Sequence, residues 1–217
     1  MTGAVVVNVP QKSQAWFAAR CGRLTGTAAA DMLATIRSGE AAARRDLRLR
    51  LVVERLTQRA QDENGYVSSD MQWGIDHEPD ARRAYEARTG AIVQSIGFLQ
   101  HPELPVGCSP DGVVEGGRGI VEIKCPRSAQ HLKTLRQVRA KCAVLPEYLP
   151  QVHHNLWVSG AAWCDFISYD PRFPPPLRLV IQCVSLSDAE RSSYELLVRQ
   201  FLTEVEREYA DVERLMQ

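Results

Sequence analysis

The chain has six cysteines among its 217 residues but no C-x-x-C pair. That excludes the close thiolate spacing of structural zinc sites and iron–sulfur clusters. Cys21, Cys108, Cys125, Cys142, Cys164 and Cys183 read instead as scattered, mostly buried thiols in a reducing compartment. No apolar run approaches the roughly 18 residues that a membrane-spanning helix requires. The "AVVV" near the start is too short for a secretion signal and has no basic flank. A soluble, cytoplasmic protein with no membrane partner is expected. Internal repeats and low-complexity linkers are absent too, and the length suits one domain spanning residues 1–217. Net charge is also missing: 26 Lys and Arg balance 26 Asp and Glu, which taken alone argues against a polyanionic partner.

The average hides a segregation. Residues 37–59 hold seven arginines, Arg44, Arg45 and Arg48 among them, against three acids. Residues 127–141 hold five Lys or Arg and no acid, whereas the tail from Leu186 holds eight acids and four arginines. Such separation gives a neutral protein a basic face, or simply solvated helix surfaces.

Helices dominate the first third. "KSQAWFAARCG" reads as a short helix ending near Gly22, and "TGTAAADMLATI" as a helix start capped by Thr25 or Thr27. Longer helices are expected over 40–60 and 70–89, the second closed by Gly90 and kinked or broken at Pro79. The period then changes to strands in "AIVQSIGFLQH", "VGCSPDGVVE" and "GIVEIKC". Helices follow over 128–141 and "EYLPQVHHNLWVSG", then strands in "AWCDFISYD" and "LRLVIQCV". A closing helix spans about 187–215, with a Ser187/Glu190 capping box and an apolar face of Tyr194, Val198, Phe201, Val205, Val212 and Leu215. The order implies an α/β or α+β fold with a central mixed sheet flanked by helices.

The unusual chemistry lies in "CSPDGVVEGGRGIVEIKCP". Side chains alternate along a strand, so Glu122 and Lys124 share one face while Val121 and Ile123 take the other. A hairpin through "EGGRG" folds Asp111 back beside Glu122. Two adjacent carboxylates repel unless a cation lies between them. A hard divalent ion such as Mg²⁺ relieves this with one or two carboxylates, waters and substrate phosphate. Lys124 is then best aimed at a water or a phosphate oxygen, and the set suits metal-assisted phosphodiester hydrolysis. An ordinary surface Glu–Lys pair on a hairpin is the bland alternative.

Pro110-Asp111 followed by Glu122-Ile123-Lys124 resembles the PD-(D/E)-x-K nuclease superfamily. Over about residues 13–205 the chain is similar to the phage lambda exonuclease and YqaJ-type viral recombinase family. The segments "AWFAARCGRLTGT", "QWGIDHEPDARRAYEARTG", "CSPDG", "EIKCP", "YLPQVHHNLWV" and "YDPRF" carry that likeness in order.

The resemblance implies a restriction-endonuclease-like fold. It places metal ligands at Asp111, Glu122 and the Ile123 carbonyl, the catalytic lysine at Lys124, and at Glu78 an upstream acid that would hold a second metal or its water. Gln151, with Tyr148 a turn before it, falls on a Y-x-x-Q helix motif that orients water or phosphate. Arg20, Thr25, Thr27 and Ser109 fall on a terminal-phosphate pocket. Where the family has a further arginine this chain has Gln130, and Arg127 is the candidate substitute. His77, His153 and His154 are not ligands in the family. The implied activity is that of an exonuclease digesting one strand of duplex DNA 5′→3′ to mononucleotides. It would use one or two Mg²⁺, with Mn²⁺ as a possible substitute, and leave a 3′ overhang for recombination. A homotrimeric ring and a single-strand annealing partner are implied too, with Arg44, Arg45 and Arg48 expected to face DNA. An endonuclease of the same superfamily and a non-catalytic DNA-binding module are the alternative readings.

Overall fold

A computed structural model describes residues 3–61 and 68–216. Ser13 opens the first helix, α1 (Gln14–Arg20), because its hydroxyl accepts from the free amide of Trp16. A two-residue strand, β2 (Leu24–Thr25), follows, then a 3-10 turn at Gly26–Ala28 and the single-turn α2 (Ala29–Met32). Thr25 precedes that turn but makes no capping bond. The expected threonine cap is therefore replaced by a strand end, which leaves the hydroxyl available to neighbours.

Next come α3 (Ala42–Thr57) and α4 (Ser69–Thr89). α4 starts on the Ser68 hydroxyl, ends at left-handed Gly90, and continues through Pro79 without the expected break. Proline deletes one ladder bond. Two capped ends and the burial of Ala81 and Tyr85 against the sheet carry the helix past that loss.

Instead of one central sheet there are two. β1 (Val5–Val7), β4 (Phe98–Gln100), β5 (Val106–Cys108) and β2 lie in the order β1-β4-β5-β2. The other sheet runs β3-β6-β7-β8-β9, from β3 (Val93–Gln94), β6 (Gly112–Val114), β7 (Gly119–Lys124), β8 (Trp163–Tyr169) and β9 (Leu179–Val184). The parallel β7–β8 pair requires a crossover. It is supplied by α5 (Ser128–Lys141) and α6 (Leu149–Ser159).

Both faces of β7 are covered. Ile120 packs in the larger core with Phe166, Leu156 and Phe201, while Val121 and Ile123 join Ala81, Tyr85 and Ile167 under α4. Glu122 thus stands on a buried face, not on a surface hairpin, and is 1% exposed. The last helix, α7 (Asp188–Glu213), begins with the expected Ser187/Glu190 capping box. It buries Tyr194, Val198, Phe201 and Val205, and Leu202 as well. Leu215, expected on that face, lies in a terminal 3-10 turn and is 85% exposed.

Candidate active site

Asp111 ends the loop entering β6, and its amide donates to the Val121 carbonyl across the hairpin. Its Oδ2 accepts from the Ile123 amide at 2.6 Å. The acid is therefore fixed to the backbone of the strand that carries Glu122 and Lys124. Lys124 Nζ donates to Glu122 Oε1 at 2.6 Å and to Gln151 Oε1 at 3.0 Å. Asn155 Nδ2 donates to the other oxygen, Glu122 Oε2, at 2.8 Å. Lys124 and Glu122 are thus both held from α6, where Gln151 and Asn155 stand four residues apart on one helix face.

Burial pushes the Glu122 carboxyl up to about 7, helped by Asp111 and Glu78 and opposed by Lys124. Burial also raises Asp111 above the ordinary carboxylate range, against the pull of Lys124. Lys124 moves upward: burial lowers it, but Glu122 and Asp111 outweigh burial and keep the ammonium charged. Glu78, on α4, is raised first by burial and then by Asp111, and lines a cavity with Asp111. Lys124 opposes all three rises, and Lys12 and Arg82 oppose those of Glu78 and Asp111, yet burial keeps each acid raised.

That arrangement suits a hard cation, and the donor set fits Mg²⁺: oxygen atoms only, from Asp111, Glu122 and the carbonyl of Ile123. Among the described residues no three His, Cys, Asp or Glu side chains form a ready metal cage. An ion here would complete its shell with water and phosphate, and Glu78 lines the same cavity as Asp111. His154 is buried between the Gly107 carbonyl and the Tyr194 hydroxyl, and His77 stacks on Trp73. Both are committed to packing.

The second constellation assembles around α1. Arg20 Nη2 lies 3.5 Å from Thr25 Oγ1, which is 3.3 Å from Thr27 Oγ1. The Arg20 guanidinium sits over the Trp16 ring at 4.0 Å, and Trp16 Nε1 donates to Ser109 Oγ at 2.8 Å. Arg20, Thr25, Thr27 and Ser109 are thus joined through Trp16, a residue the sequence reading did not single out. Asn155 was missed as well, although its position one turn after Gln151 was a usable signal.

Arg127 is not brought to this group: it is exposed and bonds Asp70 at 2.7 Å, while Gln130 bonds Glu147 at 2.5 Å. Arg44 and Arg48 do not form a free basic stripe. Both bond Glu40; Arg44 grips Glu204 with two nitrogens, and Arg48 bonds Glu208 at 3.2 Å. The acids of α7 neutralise them, and a cavity of about 730 Å³ lies in that α3–α7 region, lined by neither Asp111 nor Glu122. Arg45 points outward beside Asp46. Tyr148 precedes α6 as expected, with its ring 5.0 Å from Phe166.

A mixed sheet flanked by helices, with Pro110-Asp111 entering β6 and Glu122-Ile123-Lys124 on its partner β7, defines the PD-(D/E)-x-K class of fold. Within that class the chain belongs to the family of YqaJ-like viral recombinase domains, whose model matches residues 15–162. It is similar to the alkaline exonuclease LHK-Exo from Laribacter hongkongensis, solved in complex with dAMP. The identity is 34% over 94% of this chain and 98% of that one, with a TM-score of 0.82. A phage-related exonuclease from Haemophilus somnus 129PT shares the fold at 12% identity, TM-score 0.66, covering 90% of this chain and 96% of that one. No curated protein matches the chain in sequence.

Proposed function

We propose that this protein is a Mg²⁺-dependent exonuclease. It removes 5′-mononucleotides from one strand of linear duplex DNA, 5′→3′, and leaves a 3′ single-stranded overhang for recombination. The observation that carries the reading is the bonded set Asp111–Ile123, Glu122–Lys124–Gln151 and Glu122–Asn155 within a YqaJ-like domain. The dAMP in complex with the 34%-identical relative is a deoxynucleoside monophosphate, the product class this reaction releases.

When bound, Mg²⁺ supplies Lewis acidity: it lowers the pKa of a coordinated water and offsets charge developing on the phosphoryl oxygens. Asp111, Glu122 and the Ile123 carbonyl would hold it. The chain's own groups do the rest. Lys124 positions or activates the attacking water or donates to a phosphate oxygen, and its bonds to Glu122 and Gln151 hold the amine beside the carboxylates. Because a lysine can only donate, the Gln151 atom facing it is the amide oxygen, which leaves the Gln151 NH₂ to orient water or phosphate. Asn155 and Lys124 hold both oxygens of Glu122 and fix its direction.

Arg20, Thr25, Thr27 and Ser109 form the pocket for the terminal 5′-phosphate, and Arg20 is pre-aligned by stacking on Trp16. End recognition there would present the first phosphodiester to Asp111, Glu122 and Lys124 and make cleavage sequential. A homotrimeric ring around the duplex and a single-strand annealing partner complete the proposal. Linear duplex labelled at the 5′ or the 3′ end tests it: Mg²⁺ should release 5′-label as mononucleotide first, and EDTA should stop release. Digestion of closed circular duplex would point to an endonuclease instead.

A further inference from the structure

Three non-glycine residues among those described have positive φ: Gln58, Cys142 and Lys12. The first two close α3 and α5, a common place for left-handed backbone. Lys12 is different. It is the third residue of a tight turn in which the Ser13 amide donates to the Pro10 carbonyl at 3.2 Å, and its φ is 66°. Glycine or asparagine takes that position at little steric cost; lysine does not.

The turn is fixed on both sides. Before it, Gln11 Nε2 donates to the carbonyls of Ile96 at 2.9 Å and Pro110 at 3.1 Å. After it, Ser13 caps α1. Pro110 directly precedes Asp111, so the segment is tied to the carboxylate loop itself. Lys12 lines a cavity of about 430 Å³ together with Glu78, Arg82, Ser95 and Asp111. Arg82 is already used there, donating to Ser95 Oγ and the Asp111 carbonyl. Lys12 forms no ion pair with any described residue, yet both Glu78 and Asp111 feel its charge. A strained backbone thus holds a cation at the mouth of the acidic site.

α1 orders the groups. Arg20 is its last residue, Lys12 lies two residues before its first, and Trp16 between them bonds Ser109, two residues from Asp111. Seven helical residues span about 10 Å, enough to reach from one phosphate of a strand past its neighbour. We propose that Lys12 holds the cleaved strand by binding the backbone phosphate on the inner, 3′ side of the scissile bond. The chain then grips three successive phosphates, at Arg20, at Asp111 and Glu122, and at Lys12. This rests on the exonuclease reading above and adds a third contact to it.

The test is a cycle between Lys12→Gly and a duplex with one neutral methylphosphonate at the linkage inside the scissile one. Glycine suits the left-handed turn, so the variant folds with thermal stability near that of the parent. Removing either charge should lower kcat/KM on the order of tenfold, chiefly through KM. Removing both should cost no more than removing one. Lys12→Arg should retain most of the parent activity on the unmodified duplex. Parent-level kcat/KM in Lys12→Gly, additive losses in the cycle, or rescue of the variant by extra Mg²⁺ would each overturn the proposal. Should the parent protein fail to digest linear duplex at all, the exonuclease reading falls instead. Fluorescence anisotropy of the same four pairings in EDTA then still decides the Lys12 contact.

Discussion

Asn155 donates its amide to Glu122 at 2.8 Å, and the same amide is confined from behind by Gly26. A Cβ at Gly26 would stand 2.4 Å from Asn155 Oδ1, too close without displacement. Gly26 lies between Thr25 and Thr27, so one contact links the two hydroxyls proposed for the terminal phosphate to the acid that would hold the metal.

Gly26→Ala should therefore disturb catalysis without touching a ligand. Pushing Asn155 aside frees Glu122 from one of its two donors. Activity should fall on the order of ten- to a hundredfold, the range for losing an outer partner of a metal ligand. Asn155→Ala should reproduce the loss and also destabilise the fold by about 1–3 kcal/mol, since a buried carboxylate oxygen is left without its donor. Parallel kcat and urea-denaturation measurements check both. Wild-type kcat in Gly26→Ala would contradict the link.

Metal binding should be coupled to proton release. With the Glu122 carboxyl up to about 7, an uncomplexed site is partly protonated below that pH. Mg²⁺ needs the carboxylate, so apparent affinity should rise with pH to about 7 and then level off. The sign for stability follows: a raised carboxyl favours the folded protein at low pH, and that contribution is lost as pH rises from about 4.5 through 7. The Mg²⁺-induced gain in Tm should accordingly be larger at pH 8 than at pH 6. Calorimetry in buffers of different ionisation enthalpy measures the released proton.

Acid sensitivity has its source in His154. The Gly107 carbonyl can only accept, so Nε2 carries the hydrogen and Nδ1 accepts from Tyr194. Burial lowers this imidazole to about 4. Because the folded value lies below the unfolded one, its stabilising effect is present above about 6.5 and is lost as pH falls toward 4. Between pH 7 and pH 4.5 the parent should lose roughly 2–3 kcal/mol more than His154→Leu, read from urea midpoints. Equal losses would remove His154 as the cause.

Arg44 should matter for stability more than for DNA. It joins α3 to Glu204 of α7 with two nitrogens. Arg44→Ala should cost about 1 kcal/mol, the range of a well-formed, partly buried pair. The salt dependence of duplex binding should keep its slope, because a guanidinium already neutralised by two glutamates releases few counterions from DNA. A flatter slope would place Arg44 against the phosphate backbone.

The sequence showed some of this and hid the rest for physical reasons. Asp111, Glu122 and Lys124 were legible because charged residues on an apolar strand alternate in a way that a hairpin makes geometric. The Ser187/Glu190 box was legible because capping is local. The second sheet was not: β1 is an exposed edge, with Val5 and Val6 each about half accessible, and its partner β4 is distant in the chain. Pairing of α3 arginines with α7 glutamates, 160 residues apart, leaves no local trace. Lys12 was overlooked because a lysine in a turn is unremarkable until its φ is known.

Release of label from linear duplex measures the central claim most directly, using Asp111→Asn beside the parent protein. The account predicts Mg²⁺-dependent release of 5′-mononucleotides from the 5′ end by the parent. It predicts none from the variant, whose unfolding midpoint should stay at or above the parent's. Digestion by Asp111→Asn at the parent rate, or equal release by the parent in EDTA, would contradict it.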